Sequence, residues 1–158
     1  MILSKVFSPK SININLQSED KDEVFEELLE SIVVVNPGLD RGDALKALHE
    51  RENKMSTGII HDIAVPHGNC KSVNGVKGAI GISHDGIAYD ALDKSNVHIV
   101  IMLLASPDDC EFHLQVLKRL LLVLQQPHFC ELLEQQESAA DVYDMLMRFE
   151  DSVVAGAL

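Results

Sequence analysis

Apolar positions change their spacing several times along this chain, and each change of period predicts an element. Ile12, Ile14 and Leu16 alternate with Asn13 and Asn15, so Ser11–Leu16 reads as a strand with one buried face. Phe25, Leu28, Leu29 and Ile32 then fall at helical spacing. Ser18 or Asp20 can cap that helix and "NPG" (Asn36–Gly38) stops it. A second helix is predicted from near Asp40, with Asp43 three residues on. Ala44, Leu45, Ala47 and Leu48 form its apolar face, and it fades around Glu52–Lys54. A loop holding Ser56, Thr57 and Gly58 leads into "IAVPHG" (Ile63–Gly68), which reads as a strand, and Val76–Ser83 as another. Asp85–Gly86 reads as a turn.

Val97–Ala105 ("VHIVIMLLA") is apolar at nearly every position, as a central strand buried on both faces requires. "SPDD" ends it, and a helix is predicted from about Glu111. Pro127 fits the first turn of the next short helix, "HFCELLEQQ". "SAAD" (Ser138–Asp141) has capping-box spacing and opens a last helix carrying Val142, Tyr143, Leu146, Met147 and Phe149. The predicted order is β-α-α-β-β-β-α-α-α. It makes an α/β chain (α+β mixed), with a central mixed sheet flanked by helices, and argues against a doubly wound dinucleotide fold. One domain spans residues 1–158, with its core at about 11–149 and a loose tail over 150–158.

Composition narrows the function classes. At 158 residues and 46% hydrophobic content the chain can build a core without disulfides or metal. Thirteen basic against 25 acidic residues give a net charge of −12, which repels nucleic acid and anionic lipid. Cys70, Cys110 and Cys130 are an odd number and read as reduced cytosolic thiols. The apolar runs Val100–Ala105 and Leu120–Leu124 fall far short of a bilayer span, and "MILSKVFSPK" has no signal-peptide character, so a cytoplasmic protein without membrane insertion is expected. Neither GxGxxG nor GxxxxGK[ST] occurs, and no cofactor is called for.

Of the seven histidines, His49, His84 and His128 lie in polar surroundings and read as solvated, and His98 as a satisfied residue of the apolar strand. His67 stands apart. Pro66 fixes its own φ and holds Val65 extended, while Gly68 frees the backbone beyond and keeps bulk away from the ring. Such an imidazole can meet a group arriving from outside. His113 opens the helix after the central strand. Taken alone it reads as a helix-start residue facing water, although that turn also offers free N–H groups to a phosphate. A competing reading pairs His67–Cys70 (H-x2-C) with Cys110–His113 (C-x2-H) as a zinc site.

Three segments together, "HERENKMSTGIIHDIAVPHG" (His49–Gly68), "GIAYDALDKSNVHIVIMLLASPDD" (Gly86–Asp109) and "HLQVLKRL" (His113–Leu120), resemble the IIA phosphocarrier domain of the fructose/mannitol family of the bacterial phosphoenolpyruvate:sugar phosphotransferase system. The resemblance implies a central mixed sheet flanked by helices on both sides and a phosphohistidine relay in which His67 is the phosphoryl acceptor. It further implies that His113 stabilises the phosphoryl group and Arg51 contacts its oxygens. Ser56, Thr57, Gly58, Pro66 and Gly68 then shape the surrounding loops. It implies an HPr-type phosphocarrier as donor and a IIB-domain cysteine or a regulatory target as partner. The segment "IAYDALDKSNVHIVIMLLASP" is more similar to the fructose and nitrogen-regulatory branches than to the mannitol branch; the nitrogen-regulatory type is taken as the first reading and a fructose-type sugar-transport component as the alternative. One departure stands out. Ile60 and Asp62 occupy positions where the family often has glycine, so a bulkier, stiffer loop is expected before the strand.

Overall fold

Strand β5 (Val97–Ala105) runs through the middle of the sheet with every residue buried except His98. In the computed structural model, which describes residues 1–156, this strand has neighbours on both sides. Strand β4 (Val76–Ile87) pairs with it antiparallel, while the short strands β2 (Ile63–Ala64) and β3 (His67–Asn69) pair with it parallel on the other side. Strand β1 (Ile12–Asn13) lies parallel to the outer edge of β4. The sheet is therefore mixed, in the order β1-β4-β5-β2 with β3 continuing beside β5.

Alternation along the strands sends side chains into two cores. Ile99, Ile101 and Leu103 of β5 join Ile80 and Ile82 of β4 under helices α3 (Cys110–Leu124), α4 (Phe129–Glu134) and α5 (Ala139–Gly156). Val100, Met102 and Leu104 face the other way, against α1 (Lys21–Val35) and α2 (Arg41–Lys54). The predicted class, a mixed sheet with helices on both sides, is the observed one. Among the described residues no helix is long and apolar enough to cross a membrane.

Local chemistry explains where the elements start and where they depart from the predicted ones. Asp20, not Ser18, caps α1 by accepting from the Glu23 N–H at 2.9 Å, while the Ser18 hydroxyl donates to Glu27 at 2.6 Å. Asp40 caps α2 through the Asp43 N–H at 3.1 Å. Such caps contribute about 1 kcal/mol each. The alternating stretch Ser11–Leu16 yields only a two-residue strand: Ser11 closes a 3-10 turn, and the Asn13 side chain accepts from the Asn15 N–H at 2.9 Å and bends the chain, which meets β4 again at Leu16, whose N–H donates to the Ile82 carbonyl at 2.9 Å.

"IAVPHG" forms two strands rather than one, because Pro66 has no N–H to place in the ladder. The order becomes β-α-α-β-β-β-β-α-α-α. Asp85–Gly86 does not end its strand. Gly86, at φ +89°, builds a bulge and β4 continues to Ile87. Helix α3 begins at Cys110 after a 3-10 turn over Pro107–Asp109. Pro127 lies in the turn before α4 instead of its first turn, which starts at Phe129 after His128 at φ 65°.

Both the first and the last described segments join the core. Leu3, Val6 and Phe7 are buried, so the core starts well before residue 11. The expected loose tail is helical through Gly156, because Val153 packs on the core and Glu150 is fully buried. Ala157 and Leu158, the rest of that expected tail, lie outside the described residues.

Candidate functional site

His67 begins β3 immediately after Pro66, whose carbonyl accepts from the Leu103 N–H of β5 at 3.0 Å. The ring turns back on its own strand, with Nδ1 2.8 Å from the Val65 carbonyl oxygen. A carbonyl only accepts, so Nδ1 carries the hydrogen and Nε2 keeps its lone pair. Burial lowers the His67 pKa from 6.5; the Val65 carbonyl opposes this and the Arg51 charge reinforces it. The neutral ring is therefore favoured.

His113 lies in the first turn of α3 and is only 8% exposed, so it does not face water. Its ring centroid is 5.8 Å from that of His67, with the rings 77° apart. Burial first and His67 second lower its pKa from 6.5. Its Nε2 is buried and has no hydrogen-bond partner among the described residues. An orphaned buried nitrogen is costly unless a ligand satisfies it. The Asp109 side chain makes no capping hydrogen bond to α3.

Arg51 occupies the last turn of α2 and donates to the Met55 carbonyl at 2.9 Å. It borders two clefts that meet at His67. One, of about 250 Å³, is mostly apolar, with Ile59, Val65, Leu114 and Leu121 in its walls beside Lys118. The other, of about 280 Å³, brings Arg51 and Lys54 together with His67, Asn69 and His113. The structure thus gathers His67, His113 and Arg51 at one place.

The loop that shapes this place is held by Glu52, a residue of the family-like Arg51-Glu52 pair to which the sequence alone assigned no role. Glu52 is 5% exposed and accepts from the Thr57 N–H at 2.9 Å and the Thr57 hydroxyl at 2.7 Å. Lys21 reaches the same carboxylate at 3.3 Å, and Tyr89 shares the Thr57 hydroxyl at 2.9 Å. The signal was available: Glu52 follows Ala44 and Leu48 at four-residue steps on the buried face of α2. Ser56 accepts from the Gly58 N–H at 3.2 Å, and Gly58 packs where a Cβ would come within 2.8 Å of Ala91. Gly68 has a different reason from the expected backbone freedom. It lies within a strand, and a Cβ there would stand 3.1 Å from Ala47, so it lets α2 approach β3.

Other candidates are dispersed. The four residues of the zinc reading do not converge: Cys70 Sγ pairs with the Ser72 hydroxyl at 3.1 Å and Cys110 Sγ with the Pro107 carbonyl at 3.0 Å. His128 pairs with Glu131 at 3.3 Å and His61 with Asp93 at 2.8 Å on the surface. His98 is partly buried and bonded to Asp62. Asp62 has φ 73°, so the backbone there adopts the left-handed form although the residue is not glycine.

Residues 5–148 match the family model described as "Phosphoenolpyruvate-dependent sugar phosphotransferase system, EIIA 2". A fructose-specific EIIA component from Haloferax volcanii is 31% identical over 144 residues, which cover 91% of this chain and 94% of that one. A fructose-specific EIIABC component from Bacillus subtilis is 30% identical over 146 residues; these cover 92% of this chain and 23% of that longer relative. The crystal structure of the nitrogen regulatory protein IIA-Ntr from Neisseria meningitidis superposes with a TM-score of 0.84 at 26% identity, covering 92% of this chain and 99% of that one. The chain belongs to the EIIA 2 family of the phosphoenolpyruvate-dependent sugar phosphotransferase system.

Proposed function

We propose that this protein is a phosphocarrier that takes a phosphoryl group onto His67 Nε2 from an HPr-type phosphohistidine donor and later yields it to a partner. The observation that carries this reading is the pairing of two imidazoles. His67 holds Nδ1–H on the Val65 carbonyl and leaves Nε2 open, while the adjacent His113 has a buried nitrogen without a partner. In the transfer, the Nε2 lone pair forms a P–N bond as the P–N bond of the donor breaks, and the donor imidazole recovers its electron pair. No proton needs to move. The positive charge on the phosphorylated ring is stabilised by the Val65 carbonyl through Nδ1–H.

Catalysis of such a transfer is chiefly positioning and charge stabilisation. His113, as the Nε2–H tautomer, donates to a phosphoryl oxygen, and Arg51 supplies a guanidinium on the same side. Ser56, Thr57, Gly58, Pro66 and Gly68 fix the walls around the acceptor. The next step is attack by a IIB-domain cysteine, or retention of the group as a signal read by a regulatory target. The regulatory use is the first reading, supported by the likeness to IIA-Ntr. The fructose-specific relatives, at 30 and 31% identity, support sugar transport as the second reading.

The test is reconstitution with phosphoenolpyruvate, enzyme I and HPr, followed by intact-mass spectrometry. One acid-labile phosphoryl group is expected on the wild type and none on His67→Ala, with circular dichroism unchanged. A label retained by His67→Ala would remove His67 as acceptor. Offering the phosphorylated protein a fructose-type IIB domain separates the two uses: rapid transfer to its cysteine supports transport.

A further inference from the structure

Away from the His67 clefts, three ligating side chains converge where the loop before β2, the start of β5 and the end of α4 meet. A carboxylate oxygen of Asp62, a ring nitrogen of His98 and a carboxylate oxygen of Glu134 lie within 4.8 Å of one another. They come from three separate elements, so no sequence spacing announces them.

The arrangement is held by its surroundings. The Asp62 backbone carbonyl accepts from the His98 N–H at 3.0 Å and the Ile99 N–H at 3.1 Å, and its carboxylate bonds His98 Nδ1. These contacts keep Asp62 at φ 73°, a conformation that non-glycine residues adopt infrequently. Gly86, in the bulge of β4, leaves room for the His98 ring: a Cβ there would stand 3.0 Å from His98 Nε2. On the third side, Glu134 Oε1 is buried and has no hydrogen-bond partner among the described residues. Two carboxylates thus face one imidazole, and among the described residues no lysine or arginine pairs with either of them. Even with the His98 ring protonated, two carboxylates outnumber one positive charge, and Glu134 Oε1 stays without a partner among the described residues. A divalent cation offsets the charge and ligates that oxygen.

We infer that Asp62, His98 and Glu134 form a binding site for one divalent transition-metal ion of the zinc class. His98 Nδ1 and one oxygen from each carboxylate are the ligands. One imidazole with two carboxylates suits a borderline ion such as Zn²⁺. Mg²⁺ and Ca²⁺ prefer all-oxygen sets, and Cu⁺ prefers sulfur. On binding, the metal takes the place of the hydrogen on His98 Nδ1 and the ring stays neutral as the Nε2–H form: a ring that starts as imidazolium releases one proton to solvent, and a ring that starts neutral carries its hydrogen on Nε2 instead. Three protein ligands leave a fourth, tetrahedral position for water. The site would join the loop that carries Thr57 and Ile59 to the start of β5 and the end of α4. It is separate from His67 and from the phosphoryl chemistry.

The test is calorimetric titration of the chelator-stripped full-length protein with ZnCl₂, alongside a thermal melt. One equivalent is expected to bind with micromolar or tighter affinity and to raise the melting temperature. His98→Ala and Glu134→Gln are each expected to weaken binding by about tenfold or more. Controls His61→Ala and His67→Ala are expected to bind as the wild type does. Absence of saturable binding, unchanged affinity in Glu134→Gln, or loss of binding in His67→Ala overturns the site. Should His98→Ala prove poorly folded, Co²⁺ added to the wild type decides by NMR. Paramagnetic broadening centred on the His98 ring supports the site, and broadening centred on His67, His113 or His61 overturns it.

Discussion

At the scale of a residue, the central quantity is the proton on His67. Burial and Arg51 together outweigh the Val65 carbonyl, so the folded-state pKa lies below the ordinary 6.5. A base with a lowered pKa stays neutral, and nucleophilic, to a lower pH than a free histidine. The acid-side midpoint of phosphoryl acceptance is therefore expected below the 6.5 of a free histidine. Rapid-quench rates of transfer from phosphorylated HPr across a pH series check this. A midpoint at or above 6.5 would mean that the ring is charged far more readily than its burial implies. The same shift has a thermodynamic face. His67 and His113 are both lowered, so the unfolded chain takes up protons first as pH falls. Their contribution to stability is present above 6.5 and is lost as pH drops through the folded-state values.

At the scale of an element, the site depends on how closely α2 lies against β3. Gly68 sets that approach, since a Cβ would meet Ala47 Cβ and backbone at 3.1 Å. The backbone of a helix does not yield as a side-chain tip does, so Gly68→Ala is expected to push α2 outward, at a cost of about 1–3 kcal/mol. Urea unfolding measures the cost. The displaced Arg51 is expected to slow phosphoryl acceptance in the same variant, and Ala47→Gly is expected to restore part of both.

How far such elements could be read from sequence followed a physical rule. Val97–Ala105 was legible because a strand covered on both faces must be apolar throughout. The caps Asp20 and Asp40 were legible because capping is local. Ser11–Leu16 was misleading, since its alternation is broken by a side-chain hydrogen bond of Asn13 that competes with the ladder. His67 stood out by its flanking Pro66 and Gly68. The convergence of His113 on it, the approach of Lys21 and Tyr89 to the Glu52–Thr57 pair and the Asp62–His98–Glu134 cluster all depend on elements distant in sequence. Spacing carried no record of them.

At the scale of the whole molecule, the two ends of the chain are tied to each other through one buried carboxylate. Glu150, on α5, is fully buried. It accepts from the Leu3 N–H at 3.1 Å and from Arg119 of α3 at 3.1 Å. One acid therefore links the N-terminal turn, the helix that carries His113 and the last helix, all on the side of the sheet away from α1 and α2. Glu150→Ala removes the acceptor and leaves a backbone donor and a partly buried guanidinium without partners. The expected cost is about 3 kcal/mol. For a domain of this size that corresponds to a fall of roughly 6–12 °C in melting temperature. Glu150→Gln keeps the shape and one acceptor oxygen, so its loss should be smaller. The residue lies on α5, far along the chain from His67 and apart from the clefts that His67, Arg51 and His113 line. The rate of phosphoryl acceptance at a temperature well below the melt is therefore expected to match the wild type. Calorimetry and the transfer assay on the same samples decide the matter. A large stability loss with normal transfer locates Glu150 in the framework alone, whereas slowed transfer in the folded variant would mean that α3, and His113 with it, depends on this tie for its position.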